Sequence, residues 1–245
     1  NVSNPEFWDL EVPLKLEEIS AAYGRKFDVL IVDEGQDFKE LWYEVIFSMI
    51  QQNGRKPIFM DQMQDIFERF SGVPGFEQFF RYSLPENCRN TRKIVAYLSE
   101  LISKDIKSFR LSPKGSNIEI RQFKNQIQQQ KFLLDEIKAL SIQQGVEPKE
   151  ILLLLNSRLE DSALGQTKKI GNIPLIQLDD FGHLDNQHIH YSTINSFKGL
   201  EANIVFILDS DKIPEQVLGK RLYTEASRAK HKVYVLGVGG VKMQL

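Results

Sequence analysis

Two acidic clusters follow short apolar runs in the first third of the chain. Asp33-Glu34-Gly35-Gln36-Asp37-Phe38 comes directly after residues 27–32 (FDVLIV), and Asp61-Gln62-Met63-Gln64-Asp65-Ile66-Phe67 directly after residues 57–60 (PIFM). In open α/β folds, ligands bind beyond the carboxyl ends of the strands. An Asp there can hold Mg2+, directly or through water, and a neighbouring Glu can orient or deprotonate an attacking water. Taken alone, the first cluster serves equally well to solvate a strand end, because Asp-Glu pairs are common. A neutral amide such as Gln64 donates to a terminal phosphate and accepts from water, which suits it to sensing that phosphate. Three more clusters lie downstream: residues 85–90 (PENCRN), 193–201 (TINSFKGLE) and 223–229 (YTEASRA). The first and third carry Arg89 and Arg228. An arginine on a helix is usually a solvated face. One entering a phosphate site stabilises charge on a transferring phosphoryl group.

These side chains need elements to position them. Residues 27–32 are a short, β-branched, unbroken apolar run, as expected of a strand buried on both faces of a parallel sheet. Phe38, Leu41, Trp42, Val45, Ile46, Met49 and Ile50 recur at helical spacing, and Gly54 reads as the stop signal. With residues 57–60 this gives strand–helix–strand, the unit of a parallel sheet. Residues 71–85 hold Gly, Pro and aromatics without periodicity and mark a domain junction. Beyond it, helices are expected at 91–103, 126–143 and near 215–230. Strands are expected at 118–123, 151–155, 173–178, 189–194, 203–208 and 232–238. Alternating strands and helices again imply an open α/β sheet.

The bulk numbers exclude little. The 245 residues suffice for one large domain or two small ones. Lys plus Arg is 31 against 33 acids, a net charge of -2 that argues neither for nor against nucleic acid. The single cysteine, Cys88, excludes an internal disulfide and a Cys-rich metal site. Four scattered histidines give no spacing such as H-E-x-x-H. These features fit a reducing, cytoplasmic setting with no structural metal. No apolar run approaches the ~18–20 residues that span a bilayer. The chain opens on Asn1 rather than Met, so the absence of a signal peptide weighs little.

The order of the pieces carries more than any one of them. VDEGQDF, DQMQDIF, ENCRN, TINSFKGLE and YTEASRA resemble motifs II, III, IV, V and VI of superfamily 1 helicases of the UvrD/Rep type, in the family's order. The resemblance spans about residue 27 to residue 236. The segment RKFDVLIVDEGQDF looks closest to the UvrD-like proteins with a nuclease-related domain upstream. The resemblance implies two RecA-like lobes clamping ATP. In it, Asp33 matches the Mg2+-associated Asp, Glu34 the water-activating residue, and Gln64 the γ-phosphate sensor. Arg89 and Arg228 match arginines that reach the phosphates from the second lobe, and Glu201 an acid that contacts the nucleotide. Gln36, Cys88, Lys198 and Gly199 fall at nucleotide-contacting positions. Thr193 and Asn195 match residues that touch the DNA backbone, and Phe67 an aromatic beside the DNA path, or one that only packs the lobe interface.

The departures are specific. No G-x-x-x-x-G-K-[ST] phosphate loop occurs in these residues. In the family it lies N-terminal to the Asp33 cluster, so truncation is the simple explanation and a degenerate motor the alternative. Cys88 stands where a Tyr usually stacks on adenine, Asn195 where His is common, and Ser227 where Thr is common. After Phe67, Glu68, Arg69 and Phe70 replace the usual Trp. The resulting expectation is an α/β chain in two parts. Residues 1–75 are the end of a first RecA-like, P-loop-NTPase-type lobe, and 76–245 a nearly complete second lobe. Its parent hydrolyses ATP with Mg2+ and moves on single-stranded or partly duplex DNA. The competing readings are a helicase-like regulatory module without a motor, and an ATPase accessory to a nuclease elsewhere in the parent.

Overall fold

The computed structural model describes residues 6–24, 26–64, 72–178, 183–193 and 201–239. The chain divides into two compact units, Asn1–Ser83 and Leu84–Leu245. The division falls after the expected junction between 75 and 76. Val73 is buried in the first unit's core, and Phe79 stacks on Phe47 with ring centroids 6.1 Å apart. Of the aromatics there, Phe79 packs on that core, whereas Phe80 and Tyr82 are exposed.

In the first unit a π-type turn, Phe7–Glu11, leads into helix α1 (Val12–Tyr23). Strand β1 (Phe27–Val29), helix α2 (Glu40–Ser48) and strand β2 (Ile50–Arg55) follow. β1 and β2 pair in parallel, and the ladder runs on through a bridge from Val32 to Ile58. A strand–helix–strand unit is therefore present, with three corrections. Its second strand is Ile50–Arg55, not residues 57–60, where only Ile58 bridges to Val32. Gly54 does not stop the helix: α2 ends at Ser48, and Gly54 lies within β2. Residues 27–32 are not buried on both faces. Leu30 and Val32 pack inward with Tyr43, Ile46 and Ile58, whereas Phe27, Val29 and Ile31 are exposed. The period-two alternation of a strand operates beneath a sequence that is apolar throughout.

The second unit begins with β3 (Glu86–Asn87), α3 (Arg92–Ile102) and β4 (Lys107–Ser108), with β3 and β4 paired apart from the main sheet. Then come β5 (Glu119–Phe123), α4 (Gln126–Gln143), β6 (Ile151–Leu155), β7 (Lys169–Ile170), β8 (Ile173–Gln177) and β9 (Ile189–Thr193). β10 (Ala202–Leu208), α5 (Leu218–Ala226) and β11 (Ala229–Val238) complete it. Seven strands lie in the order β5-β11-β10-β6-β9-β8-β7. All neighbours are parallel except the hairpin β7–β8. Every residue of β6 is buried, as a central parallel strand requires. Alternate residues Ile151, Leu153, Leu155, Ile204, Phe206 and Leu208 form one core with Leu133, Ile137 and Leu140 of α4. α3 and α5 pack on each other and on β11. The helix expected near 215–230 ends at Ala226, because Ala229 already pairs with Ala202 in the sheet.

Phe206 and Tyr234 stack at 4.1 Å between ring centroids with planes 5° apart, in the middle of the sheet. Replacing Phe206 by Ala removes that stack and leaves a cavity. Denaturant unfolding of the F206A variant is expected to show a loss of about 3–5 kcal/mol.

Candidate functional site

In the first unit the turn after β1 builds a polar network. Glu34 sits in the left-handed region at φ 49°, a conformation that costs a residue with a Cβ and that the surroundings must enforce. The enforcing contacts are visible. The Gly35 N–H donates to the Phe59 carbonyl at 2.8 Å, and the Tyr43 hydroxyl donates to the Gly35 carbonyl at 2.6 Å. A Cβ on Gly35 would lie 2.7 Å from both Ile58 and the Tyr43 hydroxyl, so glycine is needed there. Burial first, then the charge of Asp37, pushes the Tyr43 hydroxyl up to about 12. It remains a proton donor at any working pH.

Gln36 is fully buried and both ends of its amide are engaged. Its Nε2 donates to Glu34 Oε2 at 2.5 Å, and its Oε1 accepts from the Asp61 N–H at 2.9 Å. Asp61 in turn accepts from the Met63 N–H at 2.9 Å and from Gln64 Nε2 at 3.0 Å. Glu34 and Gln64, thirty residues apart, are thus joined through Gln36 and Asp61. Gln36 acts here as a strut rather than an exposed nucleotide contact. Asp33 is exposed, and one of its oxygens accepts from the Glu34 N–H at 2.9 Å. Hard carboxylate oxygens on Asp33 and Glu34, in a turn at a strand's carboxyl end, fit the donor chemistry of Mg2+.

In the second unit one side chain organises the arginines. Asn90 is buried, and its Nδ2 donates to the carbonyls of Ser227 at 3.0 Å and Ala229 at 2.6 Å. Those carbonyls flank Arg228. Asn87 closes the other side: its Oδ1 accepts from the N–H groups of Arg89 and Asn90, and its Nδ2 donates to Asn90 Oδ1. The turns carrying Arg89 and Arg228 are therefore pinned together. Glu201 joins them. Its Oε2 lies 3.2 Å from Arg89 Nε, its Oε1 pairs with Lys230, and the next residue's N–H donates to the Arg228 carbonyl at 3.0 Å. Arg89 and Glu201 are partly exposed, and the exposed Cys88 lies beside them. Arg228 is buried at 1% exposure.

The structure thus gathers Arg89, Glu201 and Arg228 at the amino ends of β10 and β11. Thr193 is elsewhere, exposed at the carboxyl end of β9. Phe67, Asn195, Lys198 and Gly199 lie outside the described residues. Sequence reasoning missed the residues that hold these groups: Asp61, Asn87 and Asn90. The one available signal was the Asn-x-x-Asn spacing within PENCRN, since Asn side chains commonly bond backbone two or three residues on.

A second buried group was also missed. Glu225, on α5, is fully buried. Its carboxylate accepts from Arg221 Nε at 3.1 Å and Asn156 Nδ2 at 3.2 Å. Burial outweighs these partners and raises its pKa from 4.5 to about 7. Between those values the folded chain holds a proton that the unfolded chain releases. Stability is therefore lost as pH rises through that window, and the contribution is flat above it.

Two measurements test this geometry. Asn90→Ala leaves two buried carbonyls short of a donor and is expected to cost about 1–3 kcal/mol in denaturant unfolding. Glu225→Gln keeps the shape and removes the titration. Relative to the parent chain, its stability is expected to rise progressively from pH 4.5 to about 7. A constant difference across that range would refute the assignment.

Comparison with known proteins bears on the last two clusters. Residues 188–236 match the model of the UvrD-like helicase C-terminal domain. The chain is also similar to the crystal structure of the C-terminal domain of a possible DNA helicase from Lactobacillus plantarum WCFS1. The identity is 17%, the TM-score is 0.50, and 64% of this chain and 91% of that chain are covered. At that identity the likeness speaks for the fold, a mostly parallel α/β sheet of the RecA-like kind. Residues 188–236 are thus similar to the C-terminal domain of UvrD-like helicases, and the chain shares the α/β fold of that neighbour.

Proposed function

We propose that the parent protein is an ATP-dependent helicase or translocase acting on single-stranded or partly duplex DNA. The observation that carries the reading is the clamp of Asn90 on the Arg228 turn. It pins together the turns that carry Arg89 and Arg228, and Glu201 pairs with Arg89. Fixed cations contribute most where charge develops during reaction, because they need not reorganise. Asp33 would hold Mg2+, which would supply neutralisation of the phosphate charge. Glu34 orients the attacking water, held by the Gln36 strut. Gln64 reads the terminal phosphate, and Arg89 and Arg228 stabilise it as it transfers. Cys88 and Glu201 border the nucleotide, with Lys198 and Gly199 assigned by motif alone. Thr193, Asn195 and Phe67 contact DNA; such hydroxyl and amide contacts position the backbone without reading sequence. The phosphate loop this chemistry needs comes from another part of the parent.

DNA-stimulated ATP turnover by the full-length parent tests the reading. Glu34→Gln and Arg228→Ala are each expected to lower turnover by orders of magnitude, about 10³-fold or more for the arginine. If both act on one nucleotide, the double variant is little worse than the poorer single one. Multiplying losses, or near-normal turnover by either single variant, would reject the motor. The 245-residue chain alone is expected to turn over little or no ATP, and robust turnover by it would also count against the reading.

A further inference from the structure

Asp185, His188 and His190 form a group that the helicase chemistry does not use. One ligand atom from each lies within 4.8 Å of the other two. Asp185 Oδ2 faces both imidazoles, 2.9 Å from His188 Nδ1 and 3.6 Å from His190 Nε2. Around a tetrahedral ion with bonds of about 2.0–2.2 Å, neighbouring ligand atoms lie roughly 3.3–3.5 Å apart. The two observed separations bracket that value.

The group is also built rather than accidental. Asp185 is fixed by its own turn, its Oδ1 accepting from the N–H groups of Gln187 at 2.7 Å and His188 at 2.9 Å. His190 is 2% exposed and anchored in β9, paired with Leu152 on one side and Ile176 on the other. His188 and Asp185 remain open to solvent at 28% and 47% of their side-chain surface. Two imidazoles and one carboxylate suit zinc and its neighbours in the first transition series, not Mg2+, which prefers oxygen alone.

We propose that Asp185, His188 and His190 bind one divalent transition-metal ion of the zinc class, with solvent in the fourth position. The ion pins the turn before β9 onto the amino end of that strand. Nothing in this depends on the motor, and neither test decides the other.

The test is titration of the 245-residue chain with ZnCl2 by calorimetry, in excess Mg2+ to occupy the Asp33 and Glu34 carboxylates. One equivalent is expected to bind. Asp185→Asn and His188→Gln, both at exposed positions, are expected to weaken binding at least about tenfold. Asp33→Asn is expected to leave it unchanged. Co2+ in place of Zn2+ is expected to give the visible absorption of a tetrahedral site, lost in the same two variants. Unchanged circular dichroism keeps misfolding out of the comparison. If no stoichiometric Zn2+ binds, or binding survives both substitutions, the trio is only a capped turn with an ion pair and the proposal is wrong.

Discussion

The second unit turns on an elementary requirement: buried carbonyls need donors. Between the end of α5 and the start of β11 the chain changes from helix to strand within two residues, and the carbonyls of Ser227 and Ala229 at that change belong to buried residues. Asn90 supplies both donors from a segment 137 residues earlier in sequence. An unmet buried carbonyl costs more than a typical bond gains, so the clamp is not optional. Its consequence is positional. Arg89 is the neighbour of the clamp's donor, and Arg228 sits between its acceptors. Satisfying the backbone therefore also fixes the two turns that carry the arginines, and Glu201 inherits its place because Ala202 pairs beside Arg228.

The first unit solves a similar problem by another route. Glu34 occupies a backbone region that residues with a Cβ rarely adopt, held by Gly35 against Phe59 and by the Tyr43 hydroxyl. Its carboxylate is then held by Gln36, whose own carbonyl is taken by Asp61. A carboxylate so constrained loses little freedom when a ligand arrives, which is the physical content of preorganisation. Asp33, one residue earlier, is left exposed. The turn thus separates a constrained acid from an accessible one, the division of labour proposed for water activation and metal binding.

Much of the second unit was legible in sequence because its signals are strong and local. The run ILLLL at 151–155 is too short for a buried helix and is fully buried as a central strand. The 126–143 helix is found at those residues, started by Asn125 accepting from the Gln128 N–H. Residues 27–32 misled because uniform apolarity cannot report which face is covered; Phe27, Val29 and Ile31 look like core and are exposed. Gly54 misled because a glycine marks helix ends only on average, and here it lies under Ile50, where a Cβ would approach to 2.2 Å. In the site, charged residues with recognisable chemistry were visible by type and order. Asn90, Asp61 and the buried Glu225 were not, because a supporting amide or acid gains its role from partners distant in sequence. The same applies to Asp185, His188 and His190: the histidines looked scattered until a turn folded the aspartate back onto them.

The sheet also separates the second unit's two proposed tasks. Arg228 and Glu201 flank the amino ends of β11 and β10, while Thr193 closes the carboxyl end of β9. β6 pairs in register with both β9 and β10, Leu155 opposite Thr193 and Ile151 opposite Ile204. Strands of this length, at about 3.3 Å per residue, set the two edges roughly 15–20 Å apart. They are close-packed on both faces, and packed interiors deform little. A displacement imposed at the amino edge by a nucleotide would therefore carry the carboxyl edge with it as one body. In the proposed motor this makes the sheet a lever: hydrolysis is felt at one edge and grip on DNA is set at the other. Weakening the core between them, as at Phe206, would then loosen coupling without touching a ligand-binding group.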